Sequence, residues 1–166
     1  MIRPAEEADF ARLREIEVLA GAAFAEVGMP DIAGHEPPSA RVLGHFARAG
    51  RAWVHLADGR VGAYLLATVV DGCAHVEQVS VDPALRGRGL GRALIDHLAG
   101  WARERGMPAL TLTTFRDVPW NAPYYRRIGF AEVPAAGGLA ALVAEEAGHG
   151  LDPAARVCMR RGVAPS

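Results

Sequence analysis

Apolar residues recur along this chain with two periods, three-to-four and two, and the switches between them predict its elements. After a short strand at Ile2-Arg3-Pro4, the residues Phe10, Leu13, Ile16/Glu17, Ala20 and Phe24 trace one face of a first amphipathic helix. Gly28, Pro30, Gly34, Pro37 and Pro38 make 28–38 too rich in breakers for regular structure. Ser39 stands where an N-cap belongs, before a helix carrying Val42, Leu43 and Phe46 and ending at Gly50. The runs 53–56 and 61–70, separated by Asp58-Gly59, predict a hairpin, and Asp71-Gly72 turns the chain into a strand over 73–81. Within it, Val76-Glu77-Gln78-Val79-Ser80-Val81 alternates with period two. Leu90, Leu94 and Leu98, widened by Ile95, Trp101 and Ala102, predict a helix over about 88–105, capped by Gly106 and stopped before Pro108. Leu110-Thr111-Leu112-Thr113-Thr114 is strand-like, and parallel to its predecessor if the intervening helix is a right-handed crossover. A short helix near 121–128, strands near 130–133 and 156–160, and a helix within 135–150 complete the reading, with no repeat and no dividing linker.

The six residues Arg86-Gly87-Arg88-Gly89-Leu90-Gly91 lie where strand gives way to helix. A glycine-rich turn opening a helix aims unpaired backbone N–H groups and the positive end of the helix dipole at its occupant, and a phosphate or pyrophosphate suits that place. Glycine lets a ligand approach the backbone and admits positive φ. A Walker-type loop needs Lys-Ser/Thr after its last glycine, and this chain contains no lysine at all. A dinucleotide fingerprint needs G-x-G-x-x-G, whereas Gly87, Gly89 and Gly91 form G-x-G-x-G. The bland alternative is a tight turn without a ligand.

The larger pattern Glu77-x-Val79-x-Val81-x-Pro83-x-x-Arg86-x-x-Gly89-x-Gly91 resembles the signature of the GNAT superfamily of N-acetyltransferases, and Tyr125-Arg126-Arg127-Ile128-Gly129-Phe130 resembles that family's Tyr-x-x-x-Gly-Phe segment. The run 112–123 is similar to a bacterial subgroup whose substrates are mostly unassigned. Many members place an asparagine seven residues before the tyrosine, whereas Asn121 stands four before Tyr125. The resemblance implies a single N-acetyltransferase domain over 1–166 of α/β class (α+β in some schemes). Its mixed central sheet of about six or seven strands would be flanked by helices and open in a V between the fourth and fifth strands. It also implies acetyl-CoA as cosubstrate and a small-molecule or peptide amine as acceptor, and it leaves a homodimer open.

Acetyl transfer to an amine requires that the thioester be held, the ammonium lose a proton, and the leaving thiolate be stabilised. The backbone of Arg86, Gly87, Arg88, Gly89, Leu90, Gly91 and Arg92 would hold the pyrophosphate. The strand edge at Val79, Ser80 and Val81 would pair with the pantetheine arm, as an added strand pairs with a sheet. The resemblance places the N–H near Val81 against the thioester carbonyl and carries Asn121 over as a cofactor contact. Glu77 shares a strand face with His75, Val79 and Val81 unless a bulge intervenes, and desolvation there would suit it as a base acting directly or through water. Its rival reading is a solvent-facing glutamate; His75 reads as structural. By resemblance Tyr125 protonates the thiolate, against the alternative of an aromatic packing residue. A phenol of pKa ~10 can serve a thiol of pKa ~8.5 only if held close. Tyr124 and the tryptophans read as packing residues, with Trp120 set apart by its place in the Pro119-Trp120-Asn121 bend. Besides the enzyme, the pattern admits a non-catalytic acyl-CoA-binding module or a transferase of longer acyl groups.

Bulk properties change this picture little. At 166 residues, 51% hydrophobic and 22% charged, the chain suits one globular domain. A net charge of −1 is no footprint for nucleic acid or an anionic membrane. The apolar run 61–70 is far shorter than the ~20 residues of a membrane helix. Met1-Ile2-Arg3-Pro4-Ala5-Glu6-Glu7 has no apolar core segment, so no secretory signal is expected there. Cys73 and Cys158 form no C-x-x-C pair, and both read as buried strand thiols of a cytoplasmic protein. The histidines show no metal-ligand spacing, so no metal is expected.

Overall fold

Among the described residues, seven strands are hydrogen-bonded in the order β1-β2-β3-β4-β5-β7-β6: Ile2–Pro4 (β1), Ala52–Ala57 (β2), Arg60–Val70 (β3), Cys73–Val81 (β4), Ala109–Phe115 (β5), Ala131–Val133 (β6) and Arg156–Gly162 (β7). The helices are Phe10–Gly21 (α1), Pro30–Ala33 (α2), Ala40–Arg48 (α3), Leu90–Glu104 (α4), Ala122–Arg127 (α5) and Gly137–Gly148 (α6). The computed structural model describes residues 1–164; Pro165 and Ser166, the end of the expected domain, lie outside them. The sheet is mixed. β1–β2, β2–β3, β5–β7 and β6–β7 pair antiparallel, whereas β4 and β5 pair in parallel at Ala74–Leu110 and His75–Thr111. Packing groups the chain into two compact units, 1–68 with 77–97 and 69–76 with 98 onward.

In the first unit the expected hairpin forms because Asp58 and Gly59 take φ of 55° and 75°. Both central residues are thus left-handed, the twist a two-residue turn requires. Ala52 and Val54 of β2, with Val61, Tyr64 and Leu66 of β3, pack with Phe10, Leu13 and Ile16 of α1 and Leu43 of α3. Trp53, pointing the other way, meets His97 of α4 edge-on at 5.6 Å. Ser39 caps α3 as expected, its Oγ accepting from the Val42 N–H at 3.2 Å.

Two local expectations differ. The first helix stops at Gly21, and the chain tightens into a 3-10 turn over Ala22–Val27 that ends in left-handed Gly28. Phe24 therefore lies outside the helix that its spacing suggested. The breaker-rich stretch contains α2, because Pro30 falls in the first turn, where its missing N–H and fixed φ cost nothing.

In the second unit β5 is nearly enclosed, running beside β7 over seven register pairs from Ala109–Gly162 to Phe115–Arg156. Leu98, Ala99 and Ala102 of α4, Tyr125 of α5 and Leu139 of α6 are buried in this unit. Asp71 closes the start of α6 by accepting from the Gly138 N–H at 2.9 Å. Cys73 and Cys158 are free, buried thiols in β4 and β7. Among the described residues no helix is long and apolar enough to cross a membrane.

Candidate functional site

The glycine turn owes its shape to both backbone and side chains. Asp82 ends β4: its N–H donates to the Gly62 carbonyl at 2.8 Å, and its Oδ1 accepts from the Ala84 N–H at 3.0 Å to cap the 3-10 turn Pro83–Leu85. Arg12 of α1 donates to Asp82 Oδ2 at 2.6 Å and to the Val61 carbonyl at 2.9 Å, fastening that helix to the turn. The guanidinium holds the Asp82 carboxyl below the usual carboxylate range, mainly through its hydrogen bond. Gly87 and Gly89 then take φ of 79° and 74°, a region that L side chains adopt only at a cost.

A Cβ at Gly87 or Gly89 would meet nothing within 4 Å, so open space borders the turn where a ligand needs backbone access. At Gly91 a Cβ would lie 3.4 Å from Val81 Cγ2 and 4.0 Å from Val79 Cγ2, so the first turn of α4 rests on β4 with little to spare. Leu90 is buried beneath, while Arg86, Gly87, Arg88, Gly89 and Arg92 are exposed. The first N–H groups of a helix have no acceptor within it, so this end can receive an anion. Arg88 is engaged elsewhere: its guanidinium grips Asp58 of the β2–β3 turn at 2.7 and 3.2 Å. Its side chain is thereby occupied, and its backbone stays exposed at the turn.

Along β4 the predicted residues divide between two faces. Val79 and Val81 are half-buried toward Gly91, and Glu77, of the same parity, is exposed. Ser80 is buried and turns to the opposite face with Gln78. There the structure holds a polar group that periodicity did not single out. Glu17 of α1 accepts from Tyr64 Oη at 2.5 Å, Ser80 Oγ at 2.6 Å and Gln78 Nε2 at 3.1 Å, and Gln78 also donates to Ser80 Oγ at 2.9 Å. Burial, then the neighbouring Glu17 charge, push the Tyr64 phenol far above its ordinary value, so it remains a donor. The sequence signal was a carboxylate within the apolar stripe of the first helix, written there as Ile16/Glu17.

Asn121 and Tyr125 stand together in the second unit. Asn121 is the N-cap of α5; its backbone N–H donates to the Val118 carbonyl and its carbonyl accepts from the Tyr125 N–H, both at 2.9 Å. Gly129, at φ 104°, turns the chain so that the Phe130 N–H reaches the Tyr125 carbonyl at 3.0 Å. The Tyr125 ring is buried, edge-on to Phe130 at 5.7 Å and to Tyr124 at 5.5 Å. Burial raises its phenol well above the ordinary value, and the positive charge of Arg156 opposes that rise. Arg156 lies over the Phe115 ring at 4.5 Å and donates to Glu146 of α6 at 3.0 Å, and Thr113 donates to the same carboxylate oxygen at 2.7 Å. His75 is buried with Nδ1 2.8 Å from Thr111 Oγ1, and burial lowers it to about 4, so it is neutral and structural. Trp120 in the bend is 37% exposed, unlike an ordinary core tryptophan.

The model of the acetyltransferase (GNAT) family matches residues 15–130. Streptothricin acetyltransferase of Streptomyces lavendulae is 46% identical over 59 residues, 34% of this chain and 30% of that protein. The ribosomal protein bS18-alanine N-acetyltransferase of Salmonella typhimurium is 32% identical over 90 residues, 52% of this chain and 61% of that one. Neither match reaches two thirds of the relative's own length. The crystal structure of PaiA N-acetyltransferase from Thermoplasma acidophilum in complex with coenzyme A superposes with a TM-score of 0.69 at 13% identity, covering 98% of each chain. The matched stretch contains the strand, the glycine turn, the helix that it opens and the Tyr125–Phe130 segment, and the chain belongs to the acetyltransferase (GNAT) family.

Proposed function

We propose that this protein is an N-acetyltransferase that moves the acetyl group of acetyl-CoA to a primary amine by direct attack in a ternary complex, acting as one domain over 1–166 in the cytoplasm. The observation that carries this reading is the turn at Gly87 and Gly89: left-handed, open above the backbone, and leading into the N-terminus of α4. A pyrophosphate fits that chemistry, since N–H groups at a helix start stabilise negative charge without a basic side chain. The coenzyme A in the PaiA complex and the acetyltransferase names of the two relatives support the donor.

In this reading the backbone of Arg86–Arg92 holds the pyrophosphate, and the β4 edge at Val79–Val81 pairs with the pantetheine arm. The Val81 N–H polarises the thioester carbonyl, and Asn121 contributes a further cofactor contact. Glu77, exposed on β4, takes the amine proton directly or through water. The amine nitrogen then attacks the carbonyl carbon, the C–N bond forms, the nitrogen gives up its second proton to water, and the C–S bond breaks with its electron pair on sulfur. The family resemblance assigns Tyr125 to the leaving thiolate. Its phenol is raised, so full transfer to a thiolate whose acid has pKa ~8.5 runs uphill, and its contribution is a hydrogen bond that strengthens as charge builds on sulfur.

The acceptor is an amine on a small molecule or peptide. The test is release of free thiol from acetyl-CoA across a panel of primary amines, with longer acyl-CoA donors in parallel. Acetyl-CoA-dependent thiol release with an amine, and none without one, is expected. No release with any amine and no binding of acetyl-CoA would overturn the reading.

A further inference from the structure

Glu17 stands out among the polar groups of the first unit because neutral donors surround a charge. Tyr64, Ser80 and Gln78 reach it from two strands at 2.5, 2.6 and 3.1 Å, and none of the three carries a charge. A carboxylate offers about four acceptor positions. Oε2 takes both hydroxyls and Oε1 takes the Gln78 amide, so Oε1 has room for one more donor. Glu17 and Gln78 are only half-buried, so that position is within reach of a ligand, whereas Tyr64 and Ser80 are buried and hold the carboxylate from below. A partly desolvated anion with neutral partners gains most from a cation that also donates a hydrogen bond.

Two further features bear on the role of this carboxylate. Ser80 and Gln78 flank Val79 on β4, so two of the side chains that position Glu17 belong to the strand segment 77–81. The chain leaving the same helix, Ala22–Val27 and then Pro30–Ala33, packs on α1 and carries half-buried Phe24, Met29 and Ile32. A carboxylate on α1 and apolar side chains on the segments that pack on α1 match a molecule with a cationic head and an apolar body.

Resting on the acetyltransferase reading, we infer that Glu17 is the residue that recognises the acceptor, binding the ammonium of a primary amine attached to an apolar group. This role differs from that of Glu77. Glu17, wrapped in donors, binds the cation from the Gln78–Ser80 face of β4 and is assigned no proton transfer.

The experiment titrates the coenzyme A-loaded protein near neutral pH with 2-phenylethylamine and with its uncharged counterpart 2-phenylethanol. The wild type should prefer the amine by about tenfold or more, the scale of one charge-assisted hydrogen bond. Glu17→Gln should bring the ratio to near one with coenzyme A affinity unchanged, and Ser39→Ala, at the cap of α3, should keep it. Should Glu17→Gln fail to fold, Gln78→Lys places an ammonium of the protein itself beside the same carboxylate and should also abolish the preference. Equal affinity for amine and alcohol in the wild type overturns the inference, as does a preference that survives in Glu17→Gln or Gln78→Lys. Failure of coenzyme A to bind the wild type overturns the acetyltransferase reading instead, while the amine preference of the unloaded protein still tests Glu17.

Discussion

Replacing Gly89 by Asn and by Asp separates conformation from charge at the turn that opens α4. Gly89 has φ 74°, and a Cβ there would meet nothing within 4 Å. The two side chains are nearly the same size, and both enter the left-handed region more readily than most. Each should therefore cost about 1 kcal/mol of folding stability, or roughly 2–4 °C in Tm at this chain length. The charge acts only on the ligand. A carboxylate about 6 Å from two phosphate charges, at an effective dielectric constant of about 40, adds ~3 kcal/mol of repulsion, on the order of 100-fold in Kd. Acetyl-CoA at 100 times its Kd stabilises the wild type by ~2.7 kcal/mol, roughly 5–10 °C. At the same concentration Gly89→Asp would stand near its own Kd and gain ~0.4 kcal/mol, about 1 °C. Thermal melts of the three proteins with and without acetyl-CoA give the comparison, and added salt should narrow the gap between Asn and Asp by screening. A wild type that shows no shift at millimolar acetyl-CoA, or an Asn variant that loses as much as the Asp variant, would refute the assignment of the turn to phosphate.

Tyr125→Phe should lower kcat by about 10²-fold with acetyl-CoA affinity unchanged, and unaltered turnover would return Tyr125 to a packing role. Glu77→Gln should slow transfer by ~10²–10⁴-fold, less as pH approaches the pKa of the amine, because free amine then arrives deprotonated; parallel pH–rate profiles would remove Glu77 from the mechanism. Burial holds His75 at about 4 against an ordinary 6.5, so between those values the unfolded chain takes up a proton that the folded chain does not. Stability should therefore rise with pH across that window, and His75→Asn should flatten the slope by up to ~1.4 kcal/mol per pH unit, measured by urea melts. Ser39→Ala removes the cap of α3 and should cost about 1 kcal/mol in the same melts, with no change in thiol release.

The end of β4, the glycine turn and the helix after it were legible because each is encoded within a few residues. The period of two stops at Val81, the glycines permit positive φ, and the leucine stripe begins at Leu90. Ser39 and the Asp-Gly pairs were legible for the same reason: a cap or a two-residue turn is satisfied by its immediate neighbours. The α2 turn escaped because Pro30 was counted as a breaker, although a proline in the first turn of a helix costs nothing. Glu17 escaped because its donors lie 47, 61 and 63 positions along the chain, in strands whose side-chain directions depend on register. The carboxylate of Glu146 holding Thr113 and Arg156 was hidden likewise, since helical spacing says nothing about the strand that a helix will cover.

By itself, then, the sequence determined the run of strands and helices, the parallel return after the motif helix, and a turn suited to phosphate. All of these follow from local dihedral preferences and the period of apolar residues. Only the tertiary structure decided that β7 inserts between β5 and β6, that Arg88 grips Asp58, and that Tyr64, Gln78 and Ser80 converge on Glu17. Those arrangements depend on contacts between distant segments, and such contacts are set by the joint burial of the whole core rather than by any short stretch of chain.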